Sequence, residues 1–147
     1  MVLMAGSSNV SEAQIQISIV RWLQDVMPSA VVHHSPNGGV RKAHYVMQLK
    51  ALGMRPGWPD LELIVPPTEF IHAIDAAPIF LEVKSRTGRL SEAQRACHSE
   101  LSACGVHVYT VRAIGDCRAA LTGLVTLRQP TPHGRLIEEL SKQMGGY

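Results

Sequence analysis

Two short apolar runs near the middle of the chain, residues 61–65 and 79–83, most strongly limit what it can fold into. Each is rich in Leu, Ile and Val and has the length of a buried strand. The proline-containing stretch between them predicts a hairpin with a long loop, and residues 70–74 could extend one of its arms. We therefore expect two antiparallel neighbours, with the start of one strand beside the end of the other.

Helical patterns surround this hairpin. The tetrapeptide Ser-Glu-Ala-Gln occurs twice, from Ser11 and from Ser91, and each copy has the spacing of a capping box at a helix start. Both copies therefore predict helices, over residues 11–27 and 91–104. The other predicted elements are strands over residues 30–34 and 106–111, helices over residues 40–52 and 115–127, and a loose C-terminal helix over residues 136–144. The order α-β-α-β-β-α-β-α predicts an α/β domain with a mixed β-sheet flanked by helices.

Size and composition fit one soluble domain. The chain has 147 residues, of which 46% are hydrophobic, and this is enough for a core without cross-links. No apolar run approaches the roughly 18 residues of a membrane span, and the start lacks the basic segment of a secretion signal. We expect a cytoplasmic protein, in a bacterium or in the host of a virus, with its three cysteines reduced. Residues 1–128 are predicted to form the domain, and residues 129–147 a proline-rich linker with a helical tail.

Charged residues stand at the adjoining ends of the two predicted strands. Asp60 precedes the first strand and Glu82 lies near the end of the second, so the hairpin would bring two carboxylates together. Adjacent carboxylates repel unless a cation lies between them, and oxygen ligands favour Mg²⁺ or Mn²⁺. Lys84 points to the same face as Glu82 and could orient water or offset charge on a phosphate, while the carbonyl of Val83 could add an oxygen ligand. This set predicts a metal-dependent phosphodiesterase, although such a triplet alone is more often a surface salt bridge.

Basic residues flank this predicted site in the sequence. The formal charge is only +2, but Arg41 and Lys42 precede the first strand of the hairpin, and Arg86 and Arg89 follow the second. A local basic surface binds phosphates even on a nearly neutral chain. An ordinary solvated face explains the same charges equally well.

Three segments of the chain follow one another in a characteristic order. They are Gly-Met-Arg-Pro-Gly-Trp-Pro-Asp-Leu at residues 53–61, Phe-Leu-Glu-Val-Lys at residues 80–84 and Gly-Arg-Leu-Ser-Glu-Ala-Gln at residues 88–94. Together they resemble the VRR-NUC domain, a branch of the PD-(D/E)xK nuclease superfamily. The likeness covers roughly residues 11–120 and implies a restriction-endonuclease-like core. With no second domain in view, the chain resembles the stand-alone viral or bacterial type.

The resemblance implies roles for individual residues. Asp60 and Glu82 would hold the metal, and Lys84 would be the catalytic lysine. Glu12 matches the acid that many superfamily members supply to the metal from the first helix. Gln94 matches the glutamine that follows the second strand and would belong to the active site. Both also lie in the predicted capping boxes, so a helix-start role is the alternative, and for Gln94 the two roles compete for one side chain.

Two further residues match the segment that the family places before the Pro-Asp motif. These are Asn37 and Arg41, which could contact the DNA backbone. Asn37 also lies in a Pro-Asn-Gly-Gly turn, so a turn or surface role is at least as well supported.

The predicted function is therefore a Mg²⁺- or Mn²⁺-dependent DNA endonuclease that hydrolyses phosphodiester bonds. The resemblance implies branched DNA, such as a Holliday junction, and cutting both strands with one site per chain would need a homodimer. A nuclease of another specificity, restriction-type or acting on single strands or flaps, is one alternative. A catalytically silent DNA-binding module is another.

Overall fold

A mixed β-sheet forms the centre of the molecule. The structure, a computed structural model, describes residues 10–36 and 42–144. Within these residues a four-stranded sheet has the order β1-β2-β3-β4; β2 is antiparallel to both β1 and β3, and β4 is parallel to β3. The strands are β1 (Val31–His34), β2 (Leu61–Ile64), β3 (Ile79–Val83) and β4 (His107–Val111). The predicted α/β class, mixed sheet and antiparallel hairpin are confirmed.

Helices flank the sheet. They are α1 (Glu12–Val26), α2 (Ala43–Ala51), α3 (Glu92–Ala103), α4 (Ile114–Leu121) and α5 (Pro132–Gln143). Both predicted capping boxes form, so α1 begins after Ser11 and α3 after Ser91. None of the described helices is long and apolar enough to cross a membrane.

The apolar stripe of α1 packs on the sheet. Ile19, Trp22 and Leu23 are fully buried, as their helical spacing predicts. They belong to one core cluster with Leu63 of β2 and Leu81 of β3. Every residue of β3 is buried, so this strand has protein on both faces. A charged side chain on β3 therefore lies inside the molecule, where it needs a specific partner.

The loop between β2 and β3 differs from the prediction. Residues 70–74 do not extend the hairpin; the loop instead forms two short 3₁₀ turns, Pro67–Glu69 and Ala73–Asp75. Phe70 pairs in an isolated antiparallel bridge with Val125, far along the chain. The same pairing ends α4 at Leu121, where the sequence predicted helix to residue 127. Backbone hydrogen bonds to the loop take the place of another helical turn.

The predicted C-terminal helix is longer than expected and is anchored to α1. It begins at Pro132, because Thr131 caps it by accepting from the Gly134 N–H. The Trp22 indole N–H donates to Glu138 at 2.7 Å, and Ile137 is buried in the core. The division between domain and tail at residue 128 stays a prediction.

Candidate active site

Asp60 lies immediately before β2, at one end of the strands. Leu61 pairs with Leu81 across the hairpin, so the start of β2 lies beside the end of β3. The Asp60 Oδ2 atom accepts a hydrogen bond from the Val83 N–H at 2.8 Å. The backbone of β3 thus fixes this carboxyl group next to Glu82.

The environment of Asp60 disfavours its charged form. Burial is the main cause that raises its pKa, to about 6, and the neighbouring Glu82 carboxylate raises it further. The Val83 N–H and the Lys84 ammonium act in the opposite direction. The two acids are therefore close enough to interact, as the sequence predicted.

Glu82 is an almost fully buried carboxylate, with 1% of its surface exposed. Its Oε1 lies 3.1 Å from the Lys84 ammonium and accepts from the Gln94 side-chain amide at 2.7 Å. Its Oε2 accepts no hydrogen bond from any residue in the described ranges. The His98 Nε2 atom is 3.4 Å from Oε2, near enough for an ion pair but without hydrogen-bonding geometry.

Gln94 has two roles at once, which the sequence treated as competing. Its Oε1 accepts from the Ser91 N–H at 2.8 Å, and its own N–H donates to the Ser91 hydroxyl at 3.1 Å, which completes the capping box. Its Nε2 donates to Glu82. Both are possible because the amide oxygen serves the cap and the amide nitrogen serves the carboxylate.

Gly57 brings the Pro-Asp loop against the start of α3. Its φ of +79° favours glycine. A Cβ atom on Gly57 would lie 2.6 Å from the backbone N of Gln94 and closer still to the Ala93 carbonyl. Only a residue without a side chain allows this approach, which sets the position of Asp60 relative to Gln94.

Glu12 contacts the loop that follows β3 rather than the other two acids directly. Its Oε1 accepts from the Ser85 N–H at 3.3 Å and would lie 3.0 Å from a Cβ atom on Gly88. Arg112 stabilises the same loop, since its guanidinium donates to the carbonyls of Ser85 and Gly88 at 2.5 and 2.6 Å. The first turn of α1 thus reaches the segment that begins at Lys84.

The predicted DNA-binding residues are on the surface where they are described. Lys42 is the exposed N-cap of α2, and Arg86 and Arg89 are exposed in the β3–α3 loop. Asn37 and Arg41 lie outside the described residues.

Comparison with known proteins identifies the family. The family model of the VRR-NUC domain matches residues 8–114. The chain belongs to the VRR-NUC domain family.

The VRR-NUC fold is also shared with a solved structure. That chain, a VRR_NUC domain protein, is 16% identical, and the match covers 77% of this chain and 86% of that one with a TM-score of 0.57. Comparison with curated proteins gives no match. The VRR-NUC domain is a nuclease domain, so the chain belongs to a family of nucleases with DNA as substrate class.

Two residues that lie near Asp60 and Glu82 or near the loop after β3 were not singled out from the sequence. His98 faces Glu82 from the turn of α3 after Gln94. Its spacing of four residues from Gln94 places both on one helix face, which was a usable signal. Arg112 follows β4 and reaches the loop after β3 only through the parallel pairing of these strands, so no local pattern marked it.

The donor set fits a hard cation with few protein ligands. Across residues 10–36 and 42–144, no three or more His, Cys, Asp or Glu side chains come together as a metal site. Asp60 and Glu82 supply two carboxylates, and one of their oxygens is buried and receives no hydrogen bond from these residues. Mg²⁺ is commonly held by one or two carboxylates and keeps several waters. The pair therefore fits Mg²⁺ or Mn²⁺ better than a metal ion that requires four protein ligands.

Proposed function

We propose that this VRR-NUC chain hydrolyses phosphodiester bonds in DNA, with Mg²⁺ or Mn²⁺ held by Asp60 and Glu82. The observation that carries the proposal is the buried Glu82 carboxylate, whose Oε2 has no hydrogen-bond donor among the residues that the structure describes, while Asp60 lies beside it. Two negative charges in a partly buried site repel each other. A divalent cation removes this repulsion and supplies the missing partner.

Each residue then has a defined role. When bound, Mg²⁺ or Mn²⁺ would act as a Lewis acid toward a phosphate oxygen and toward water. Glu82 holds the Lys84 ammonium, 3.1 Å away, at the same site. Lys84 donates to a phosphate oxygen as negative charge develops, while water adds to phosphorus and the bond to the leaving oxygen breaks. Val83 fixes Asp60 through its N–H, and its carbonyl is proposed as a further metal ligand.

Two residues of α3 orient the acid. Gln94 donates to Glu82 Oε1, so the other oxygen is the one available for a cation. The His98 Nε2 atom lies 3.4 Å from the Oε2 atom of the same carboxylate. Partners of this kind restrict a metal ligand to one orientation and support its affinity.

The proposed substrate is branched DNA, including four-way junctions, cut by a homodimer. VRR-NUC membership supports DNA as the substrate class, and the exposed Lys42, Arg86 and Arg89 supply positive charge for its backbone. One proposed active site per chain cuts one strand. A two-fold dimer matches a junction that needs two symmetric cuts.

A cleavage assay on labelled duplex, flap, fork and four-way junction tests the proposal. Wild-type protein should cut with Mg²⁺ or Mn²⁺, cut the branched substrates fastest, and lose activity in EDTA. Lys84→Ala should slow cleavage by about 10²–10³, because it removes a charge that stabilises the transition state. Lys142→Ala, a matched change near the exposed end of α5, should cut like wild type.

Other outcomes separate the alternatives. Equal rates for Lys84→Ala and wild type would show that the site is elsewhere. Fastest cutting of plain duplex or single strands would replace branched DNA by one of those specificities. Metal-independent binding to every substrate without product would indicate a catalytically silent module.

A further inference from the structure

A groove runs along the exposed face of α1 and ends at Asp60. Its volume is about 640 Å³, within the range of roughly 300–1,000 Å³ for sites that bind small molecules. The α1 residues that line it and matter here are Gln16, Ile17, Val20, Arg21 and Gln24.

The groove is continuous with the proposed active site. His34 and Asp60 line it together with α1. The His34 Nδ1 atom lies 3.0 Å from the Asp60 carbonyl oxygen and 2.9 Å from the Gln16 side-chain nitrogen. Only the His34 side chain therefore links Gln16 to Asp60 along this path of contacts. Whatever enters the groove at this end lies beside the phosphate that Asp60 and its metal would bind.

The lining combines an apolar floor with polar edges. Ile17 is 51% exposed, unusual for an isoleucine in the middle of a helix that packs on the core. It lies beside the half-buried Val20, with amide side chains at Gln16 and Gln24. An apolar surface of this kind packs on the flat face of a base, and amides hydrogen-bond to base edges.

Length and charge also agree with a nucleotide. Gln16 and Gln24 are eight residues apart, so the groove extends roughly 12 Å along α1, which leaves room for at least one nucleotide at about 3.4 Å per stacked nucleotide of one strand. Arg21 is exposed on the groove wall, five residues along α1 from Gln16. Its guanidinium suits the phosphate that follows the bound nucleoside.

We propose that this groove binds an unpaired nucleotide next to the scissile phosphate, with its base on Ile17 and Val20 and the following phosphate on Arg21. The inference rests on the proposed function, since it takes Asp60 as the site of the scissile phosphate. A paired base remains inside the duplex stack and cannot reach α1. Branch points and flaps release such nucleotides, so the groove selects DNA with an unpaired base beside the cut.

Binding measured in EDTA tests the groove without cleavage. Fluorescence anisotropy is recorded with a labelled oligothymidine and with an abasic oligonucleotide of the same length. Ile17→Glu should weaken oligothymidine binding about tenfold, the scale of losing one base contact. The abasic strand should lose less, because the added carboxylate repels the phosphates of both strands but only oligothymidine also loses a base contact. Ile74→Glu is the matched control, since Ile74 is 94% exposed and outside the groove.

The outcomes distinguish this inference from the proposed function. Equal losses for the two strands, losses equal to those of Ile74→Glu, or no wild-type binding to oligothymidine would each overturn the groove assignment. Circular dichroism of Ile17→Glu excludes loss of the fold, and Arg21→Gln, which should weaken both strands alike, is a second variant. Metal-dependent cleavage by wild type that persists alongside such a result would leave the proposed function intact. If the wild type bound oligothymidine in a base-dependent way but cut no substrate, the groove assignment would stand and the proposed function would fail.

Discussion

The two Ser-Glu-Ala-Gln segments are identical in sequence and form the same capping box, but they differ in what surrounds them. At α1, the Gln14 side chain bonds only to Ser11 among the described residues, while Glu12 reaches Ser85. At α3, the corresponding glutamine, Gln94, also donates to the buried Glu82. The same four residues therefore place an acid against the loop after β3 from one helix and an amide against Glu82 from the other.

This difference shows where local sequence stops determining function. Each box fixes its helix start through bonds between residues three apart, which any solvent-exposed copy could make. The second role depends on which strand lies opposite. β3 presents a buried carboxylate to α3, whereas the loop after β3 presents a backbone N–H to α1.

The largest effect is expected from disrupting the close approach of Gly57 to the backbone at the start of α3, which α1 does not have in the described residues. Gly57→Ala places a methyl group against the backbone of Ala93 and Gln94 at a positive φ. We expect the free energy of unfolding to fall by roughly 2–4 kcal/mol, from strain and overpacking together. Urea denaturation measures this change.

Gly53→Ala is the control for that experiment. Gly53 also has a positive φ, but a Cβ atom there would meet no described residue within 4 Å. Its cost should be about 1 kcal/mol, from backbone conformation alone. Equal costs at the two glycines would mean that the contact with α3 does not constrain the loop.

The next effect separates the two glutamines. Gln94→Ala should slow metal-dependent cleavage about 10- to 100-fold, as expected for losing a partner of a metal ligand. Gln14→Ala should leave the rate nearly unchanged, because it removes only a cap bond worth about 1 kcal/mol to the helix. Gln94→Glu keeps the acceptor for Ser91 but replaces the donor to Glu82 by a negative charge. If this variant cuts at the wild-type rate, the amide donor has no role in activity.

The smallest effect compares the two acids of the boxes through the melting temperature. Mn²⁺ at about ten times its Kd should raise the wild-type Tm by roughly 3–5 °C. If Glu12 contributes charge to the site, Glu12→Gln should reduce this rise by about half. Glu92→Gln, at the same position of the other box, should leave it unchanged. Equal responses of the two variants would remove Glu12 from the metal site.

The same measurement has a defined pH dependence. The pKa of Asp60 is raised from its usual 3.8 to about 6 in the folded protein, so the metal-free fold binds this proton more tightly than the unfolded chain does. Its contribution to stability is therefore present at low pH and is lost as pH rises through about 6. Mn²⁺ needs the deprotonated carboxylate, so the rise in Tm should appear above that pH and vanish below it.

The sequence predicted what is encoded by neighbours along the chain. Both helix starts follow from Ser11 and Ser91, and the antiparallel hairpin follows from two apolar runs joined by one loop. The meeting of Asp60 and Glu82 needs only that hairpin, so the central pair of the site could also be placed. Gln94 could be matched to the family, but its ability to bond Ser91 and Glu82 together requires the actual distances.

The remaining features depend on contacts between distant segments. The bridge between Phe70 and Val125 joins parts of the chain with no shared pattern, so the loop was predicted as a strand extension and α4 as too long. The buried position of His98 depends on the packing of α3 against β3. The groove along α1 requires an isoleucine to remain exposed on a core helix, and helical periodicity alone assigns Ile17 no such role.

Sharing one glutamine between the cap of α3 and Glu82 also changes how this helix can open. The first turn of a surface helix normally frays at little free-energy cost, and its amide protons exchange rapidly with solvent. Here fraying would separate Gln94 from a carboxylate that is 1% exposed. The opening of this helix end is thereby tied to the opening of the end of β3 that carries Glu82, so the two belong to one cooperative unit of local unfolding.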